Sequence, residues 1–306
     1  MLQHRLFHCD ICPRACHINR MENEKGFCRS GREACVSSYC DHHGEEPALS
    51  GSRGSGAIFF TGCNLKCVYC QNYQISQTPD VVQHGLPSAE LAQIMLYLQD
   101  SLHCHNINLV SPSHFAPQIV EALLTAVPLG LSIPLVYNTS AYDSLETLRL
   151  LDGIIDIYLP DIKYATNDRA SAFSQAENYV ETSRQAIQEM YRQVGDLVTD
   201  EDGIAVKGLI VRHLILPNGI AGSADSLKWL AENISRHTAV SIMAQYHPSH
   251  LALREPLLSR RINHSEYNQV VALLEELEME NGWLQEMESA DFYLPDFDSR
   301  AHPFER

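Results

Sequence analysis

From Ala57 to Leu277 the chain repeats one pattern six times, a short apolar run followed by a stretch with apolar residues at helical spacing. Each run reads as a buried strand and each stretch as a helix packed over it, which is how a parallel sheet with crossover helices is written in sequence. The runs are Ala57 to Thr61, Ile107 to Val110, Leu135 to Tyr137, Ile155 to Leu159, Leu209 to Leu216 and Val240 to Met243. The first helix starts near Ser88, after Pro87, and carries Leu91, Ile94, Met95 and Leu98. The second places Ile119, Val120, Leu123, Leu124 and Val127 on one face, with Pro117 in its first turn. Asp143 with Glu146, and Asn263 with Glu266, have the spacing of capping boxes. A long helix carries Tyr179 to Val194, Asp200 to Gly203 is a turn of a small hairpin leading into the fifth strand, and another helix starts near Ser223. Six units rather than eight predict an α/β fold of the open, partial (β/α)6 barrel kind.

Residues 1–50 differ from this barrel, which is expected to occupy 51–282. They are dense in Cys, His and Arg, and Cys9, Cys12, Cys16 and Cys28 follow C-x2-C-x3-C-x11-C. A segment this short orders itself only around a metal or against a larger body. Four thiolates suit zinc and suit a second iron-sulfur cluster equally. Cys35, Cys40 and Cys104 lack paired spacing and read as inert buried thiols. The stretch from His43 to Gly56 reads as a polar, flexible lead-in, and 283–306 as an irregular tail covering the barrel.

Directly after the first strand, Cys63, Cys67 and Cys70 form C-x3-C-x2-C. Soft thiolates select zinc, copper(I) or iron-sulfur clusters, and a four-iron (4Fe-4S) cluster offers one iron per ligand. Three ligands leave one iron open to a substrate. The other strand ends carry polar groups as well: Ser111 and Ser113 with His114, then Asn138-Thr139-Ser140, Asp161 and Lys163, Arg212, and finally His247 after Gln245-Tyr246. Barrel enzymes build their chemistry at this rim. Arg212 lies in an apolar strand, so it must meet solvent, a partner or a ligand carboxylate.

The cysteine spacing, with Tyr69 before its last cysteine, resembles the signature of the radical S-adenosylmethionine (radical SAM) superfamily. The N-terminal Cys-x2-Cys-Pro-Arg-x-Cys, the phrase Gly54-Ser55-Gly56 to Thr61-Gly62-Cys63 and Cys70-Gln71-Asn72 are similar to the uncharacterised homologues of pyruvate formate-lyase activating enzyme. The resemblance implies the radical SAM type of partial barrel, with Cys63, Cys67 and Cys70 holding the cluster and S-adenosylmethionine on the open iron. It implies Tyr69 near the adenine through its backbone, and Asp161, Lys163 and His247 in catalytic positions. It places Arg212 on cofactor or substrate, and their place at the strand ends makes Ser111, Ser113, Asn138 and Ser140 candidate cofactor contacts as well. The Gly-Gly-Glu element that many members carry after the second strand is replaced by Ser111-Pro112-Ser113-His114, so hydroxyls or carbonyls of this loop are expected to hold the cofactor's amino group.

The expected activity is reductive cleavage of S-adenosylmethionine and hydrogen abstraction from a protein, peptide or small-molecule substrate, with a low-potential donor such as flavodoxin or ferredoxin. Activation of a glycyl-radical enzyme is an alternative, and a non-catalytic iron-sulfur electron carrier is another. A formal charge of -16 argues against a nucleic-acid or anionic membrane partner. Residues 1–30 lack the apolar core of a secretory signal and no run reaches membrane-span length, so a cytoplasmic protein with reduced thiols is expected.

Overall fold

A computed structural model describes residues 1–78, 85–291, 294–298 and 302–304. Strand β1 (Val36–His42) and short helix α1 (Pro47–Ser50) precede the first barrel strand, β2 (Ser55–Phe60). Helices α2 (Tyr73–Ser76) and α3 (Ser88–Asp100) lead to β3 (Ile107–Val110), then α4 (Ala116–Ala126), β4 (Leu135–Thr139), α5 (Leu145–Leu150) and β5 (Ile157–Pro160). Helices α6 (Asn167–Ser174) and α7 (Tyr179–Val194) follow, then the hairpin β6 (Val198–Thr199) and β7 (Ala205–Leu214). The chain continues through α8 (Ser223–Asn233), β8 (Ala239–Met243), α9 (His264–Glu276) and β9 (Gly282–Leu284).

The sheet runs β1-β2-β3-β4-β5-β7-β8-β9, with β6 paired to β7. Pairing is parallel from β2 to β9, whereas β1 runs antiparallel along β2. The six expected strands are therefore the centre of an open, partial α/β barrel. Every residue of β2 is buried, as in a parallel strand covered on both faces. Helix α3 buries Leu91, Ala92, Met95 and Leu98, the stripe a 3.6-residue period demands. The expected box at α9 forms, Asn263 accepting from the Glu266 N–H while Glu266 accepts from the Asn263 N–H.

Several expectations fail for identifiable reasons. Asp143 does not cap α5; it is buried, and accepts from Tyr137 Oη at 3.1 Å and Thr139 Oγ1 at 2.6 Å. In α4 the inward stripe is Ile119, Ala122, Leu123 and Ala126, leaving Leu124 74% exposed and Val127 56% exposed. Small Ala122 and Ala126 let α4 lie close to its neighbours alongside Ile119 and Leu123, while Leu124 and Val127 turn outward. The lead-in before β2 is not a plain linker, since α1 forms there and Glu46 is buried.

The N-terminal segment docks on the barrel: Leu2, Leu6, Cys9 and Ile11 enter the main hydrophobic core, and Thr147 Oγ1 donates to Ile11 O at 2.7 Å. Cys35, Cys40 and Cys104 are buried, and all ten cysteines are unbridged. Of the expected tail, residues 292, 293, 299–301, 305 and 306 lie outside the described residues, and its start is strand β9. Among the described residues no helix is long and apolar enough to cross a membrane.

Candidate active site

The C-terminal ends of the parallel strands open into one cavity of about 930 Å3. Its wall takes Cys63, Cys67, Cys70 and Tyr69 from the loop after β2, Ser111 after β3, and Asn138, Thr139 and Ser140 from β4. Asp161 and Lys163 follow β5, Arg212 lies in β7, and Gln245 and Tyr246 follow β8. Of the expected rim residues, Ser113 and His247 are not among those lining it. Ser113 is buried with its hydroxyl 3.1 Å from Thr139 Oγ1, which in turn donates to Asp143. His247 Nδ1 faces Ser249 Oγ at 3.5 Å, beyond the point where Tyr246 anchors the loop by donating to Leu258 O at 2.7 Å.

The cysteine loop is fixed by hydrogen bonds to helix α6 and its flanks. Lys66 N donates to Ser174 O at 3.0 Å and Val68 N to Phe173 O at 2.8 Å, while Ala252 N donates to Val68 O at 2.9 Å. The thiols have donors of their own: Leu65 N lies 3.4 Å from Cys63 Sγ and Ser174 Oγ 3.0 Å from Cys67 Sγ, while Cys70 Sγ sits 3.3 Å from Ser76 Oγ. Burial pushes the Cys63 thiol up and the Cys67 thiol up to about 12. A bound metal reverses this, because a coordinated thiol gives up its proton. Tyr69 packs its ring 6.5 Å from that of Tyr164 and 6.0 Å from that of Tyr246.

Among the described residues no three Cys, His, Asp or Glu side chains converge closely enough to hold a single ion. A four-iron core makes a different demand, one thiolate on each of three irons around a cube. Three thiols on one wall of a cavity, each with a hydrogen-bond partner, fit that demand.

Two ionic groups share the cavity. Lys163 Nζ donates to Asp161 Oδ2 at 2.6 Å. Burial alone would drive the ammonium down, but the Asp161 carboxylate, with the Cys67 thiol, holds it above its ordinary value. Arg212 grips Glu46 with both ends of its fork, Nε to Oε1 and Nη2 to Oε2, each at 2.7 Å, and Nη2 also pairs with Glu45. Burial would raise the Glu46 carboxyl, yet Arg212 holds it below the usual range. The carboxylates that Arg212 holds are thus the chain's own, contributed by the stretch that reads as a lead-in. Asn108 Nδ2 completes the group by donating to Glu45 Oε1 at 2.8 Å.

The four N-terminal cysteines meet at a second, much smaller cavity, of about 10 Å3, which Cys9, Cys12, Cys16 and Cys28 all line. Burial pushes the Cys9 thiol up, and the neighbouring Arg20 guanidinium opposes this. This cavity abuts the first site: a side chain on Gly62 would run into Cys28 O, and Arg14 Nε donates to Asn64 O at 2.8 Å.

Solved structures share the open parallel architecture of this chain. HydG, a maturase of the FeFe-hydrogenase, superposes with a TM-score of 0.51 at 12% identity over 73% of this chain and 49% of its own. Streptococcus suis SuiB, solved bound to precursor peptide SuiA, gives 0.50 at 10% identity over 77% of this chain and 50% of its own. The chain spans about half the length of these two proteins, and at such identities the likeness is one of fold. No family model matches the sequence. The chain is 31% identical over 278 residues to the uncharacterized protein MJ0674 of Methanocaldococcus jannaschii, covering 89% of this chain and 75% of that protein, and it belongs to the same family.

Proposed function

We propose that this protein is a radical S-adenosylmethionine enzyme, with a four-iron cluster on Cys63, Cys67 and Cys70 and with S-adenosylmethionine and substrate in the strand-end cavity. The observation that carries this reading is the C-x3-C-x2-C loop opening onto a cavity walled by the ends of successive parallel strands. When bound, such a cluster supplies the electron that splits S-adenosylmethionine into methionine and a 5'-deoxyadenosyl radical able to take a hydrogen atom from substrate. The chain's own part is placement and exclusion of water. Leu65 N–H and Ser174 Oγ–H steady the sulfurs. Ser111, Asn138 and Ser140 offer neutral polar groups for the amino and carboxylate ends of the cofactor, and Ser111 takes a left-handed conformation (φ 60°) as its N–H donates to Asn138 O. Lys163 supplies a positive charge tied to Asp161, and Tyr69 presents its backbone to the adenine. Arg212, held by Glu45 and Glu46, acts as a positioning residue in the cavity wall.

A low-potential donor such as flavodoxin or ferredoxin would deliver the electron. The likeness of the motifs to homologues of pyruvate formate-lyase activating enzyme makes a protein or peptide substrate the first to try. Anaerobically reconstituted protein should release 5'-deoxyadenosine on reduction with dithionite, and Cys67→Ala should abolish that release. Equal release from the variant would sink the proposal.

A further inference from the structure

The reading above leaves the four N-terminal cysteines without a role. Two arginines line their cavity. Arg20 has no exposed surface, and a guanidinium does not lose its proton in a protein. Its Nε donates to Gly31 O at 2.9 Å and its Nη1 to His114 O at 2.6 Å, but Nη2 is buried without a partner. Arg14 repeats the pattern, with Nε on Asn64 O and a buried, unpartnered Nη2. Among the described residues no carboxylate forms an ion pair with either. Arg14 lies over the Phe27 ring and Arg20 over that of Phe115, but a buried cation without a counter-charge costs several kcal/mol, a cost that an anion in this cavity would offset.

Four neutral thiols provide no such charge. Four thiolates on a doubly charged metal core make a formal dianion, which two guanidiniums neutralise. We propose that Cys9, Cys12, Cys16 and Cys28, which line one cavity without converging on a single ion, bind a four-iron cluster whose charge is balanced by Arg14 and Arg20. Each thiol releases its proton as it binds. Gly26 leaves room for the Cys16 sulfur, since a Cβ there would lie 2.9 Å from Sγ. The contacts of Cys28 O with Gly62 and of Arg14 with Asn64 make this centre the floor on which the Cys63 loop rests.

The test begins with Cys63→Ser, Cys67→Ser and Cys70→Ser combined in one chain, so that the result is independent of the proposed activity. Purified anaerobically and checked for native circular dichroism, this chain should carry about four iron with four sulfide. A chain without iron, or with zinc in its place, overturns the proposal. Adding Cys12→Ser and Cys28→Ser should remove the metal, and retention after that change also overturns it. Should the fivefold variant fail to fold, alkylation of the wild-type cysteines decides: a chelator should expose Cys9, Cys12, Cys16 and Cys28 to iodoacetamide, and unchanged labelling counts against the centre. Arg20→Met with all cysteines intact should weaken metal retention about 10- to 100-fold in chelator competition. Retention at the wild-type level would overturn the charge-balancing role.

Discussion

Arg212 shows how far a single residue can be read from sequence. A cation in an apolar strand demands a partner, and that much is legible. The partners are not, because Glu46 lies 166 positions away in a stretch whose composition reads as a loop. Only the sheet, which carries Arg212 past α1, joins them. Removing the guanidinium leaves two carboxylates buried without compensation. Arg212→Met should therefore lower the unfolding free energy by about 3–5 kcal/mol in urea titrations, and Glu45→Gln with Glu46→Gln in the same chain should recover part of it. His213, next in sequence, makes a pH prediction. Its ring is buried, with Nδ1 2.8 Å from Ile162 O and Nε2 2.8 Å from Ser223 Oγ, so the neutral tautomer satisfies both. Burial lowers it from 6.5 to about 4. Between those values the unfolded chain takes a proton that the folded chain refuses. Stability is thus complete above pH 6.5 and falls on acidification, by at most about 1.4 kcal/mol per pH unit from this group. His213→Gln should flatten that part of the profile measured by urea unfolding at successive pH values.

At the scale of elements, strands were legible and helix faces only partly so. The six central strands announce themselves because burial on both faces keeps them predominantly apolar. Edge strand β1 does not, since its outer positions alternate between half-buried and exposed. Helix α6 was invisible, having only Ala170, Phe173 and Ser174 turned inward from eight residues. Yet α6 is what holds the cysteine loop, so the sequence names the thiols but not their support. The Gly62 backbone, at φ 75°, marks where that loop is tightest. Gly62→Ala adds both left-handed strain and a methyl directed at Cys28 O, and should cost more than about 1 kcal/mol. Its iron content per chain should fall alongside the thermal midpoint, and a variant with wild-type iron and midpoint would show the contact to be slack. The α9 capping box is a simpler case. Asn263→Ala should cost about 1 kcal/mol in the same assay.

For the whole molecule, the alternation of runs and helices fixes an open barrel, and the openness is what creates the cavity. Among the described residues strands β1 and β9 end the sheet without pairing with each other, and beside β1 the tail residues Phe297 and Phe304 pack on Phe59, with Pro295 and Phe304 also lining the cavity. The interior is lined by Glu45, Glu46 and Asp161 against Arg212 and Lys163, a balance that leaves the cations committed to the chain's own carboxylates. Under the proposed function, a cofactor entering this space would be recognised mainly by uncharged donors and acceptors, by the open iron of the proposed cluster, and by apolar contact with residues such as Trp283 and Met243. If S-adenosylmethionine binds there and not to the unfolded chain, it must stabilise the fold by mass action, by about 2.7 kcal/mol at a hundredfold excess over its Kd. The urea midpoint of anaerobic, iron-loaded protein should rise accordingly on addition of S-adenosylmethionine. Cys63→Ser, which removes a thiol from the cavity wall, should lose most of that rise, because the open iron contributes the strongest contact. A midpoint that does not move with saturating S-adenosylmethionine would take the cofactor out of the cavity, and a rise that survives Cys63→Ser would mean that the polar strand ends bind it without the cluster.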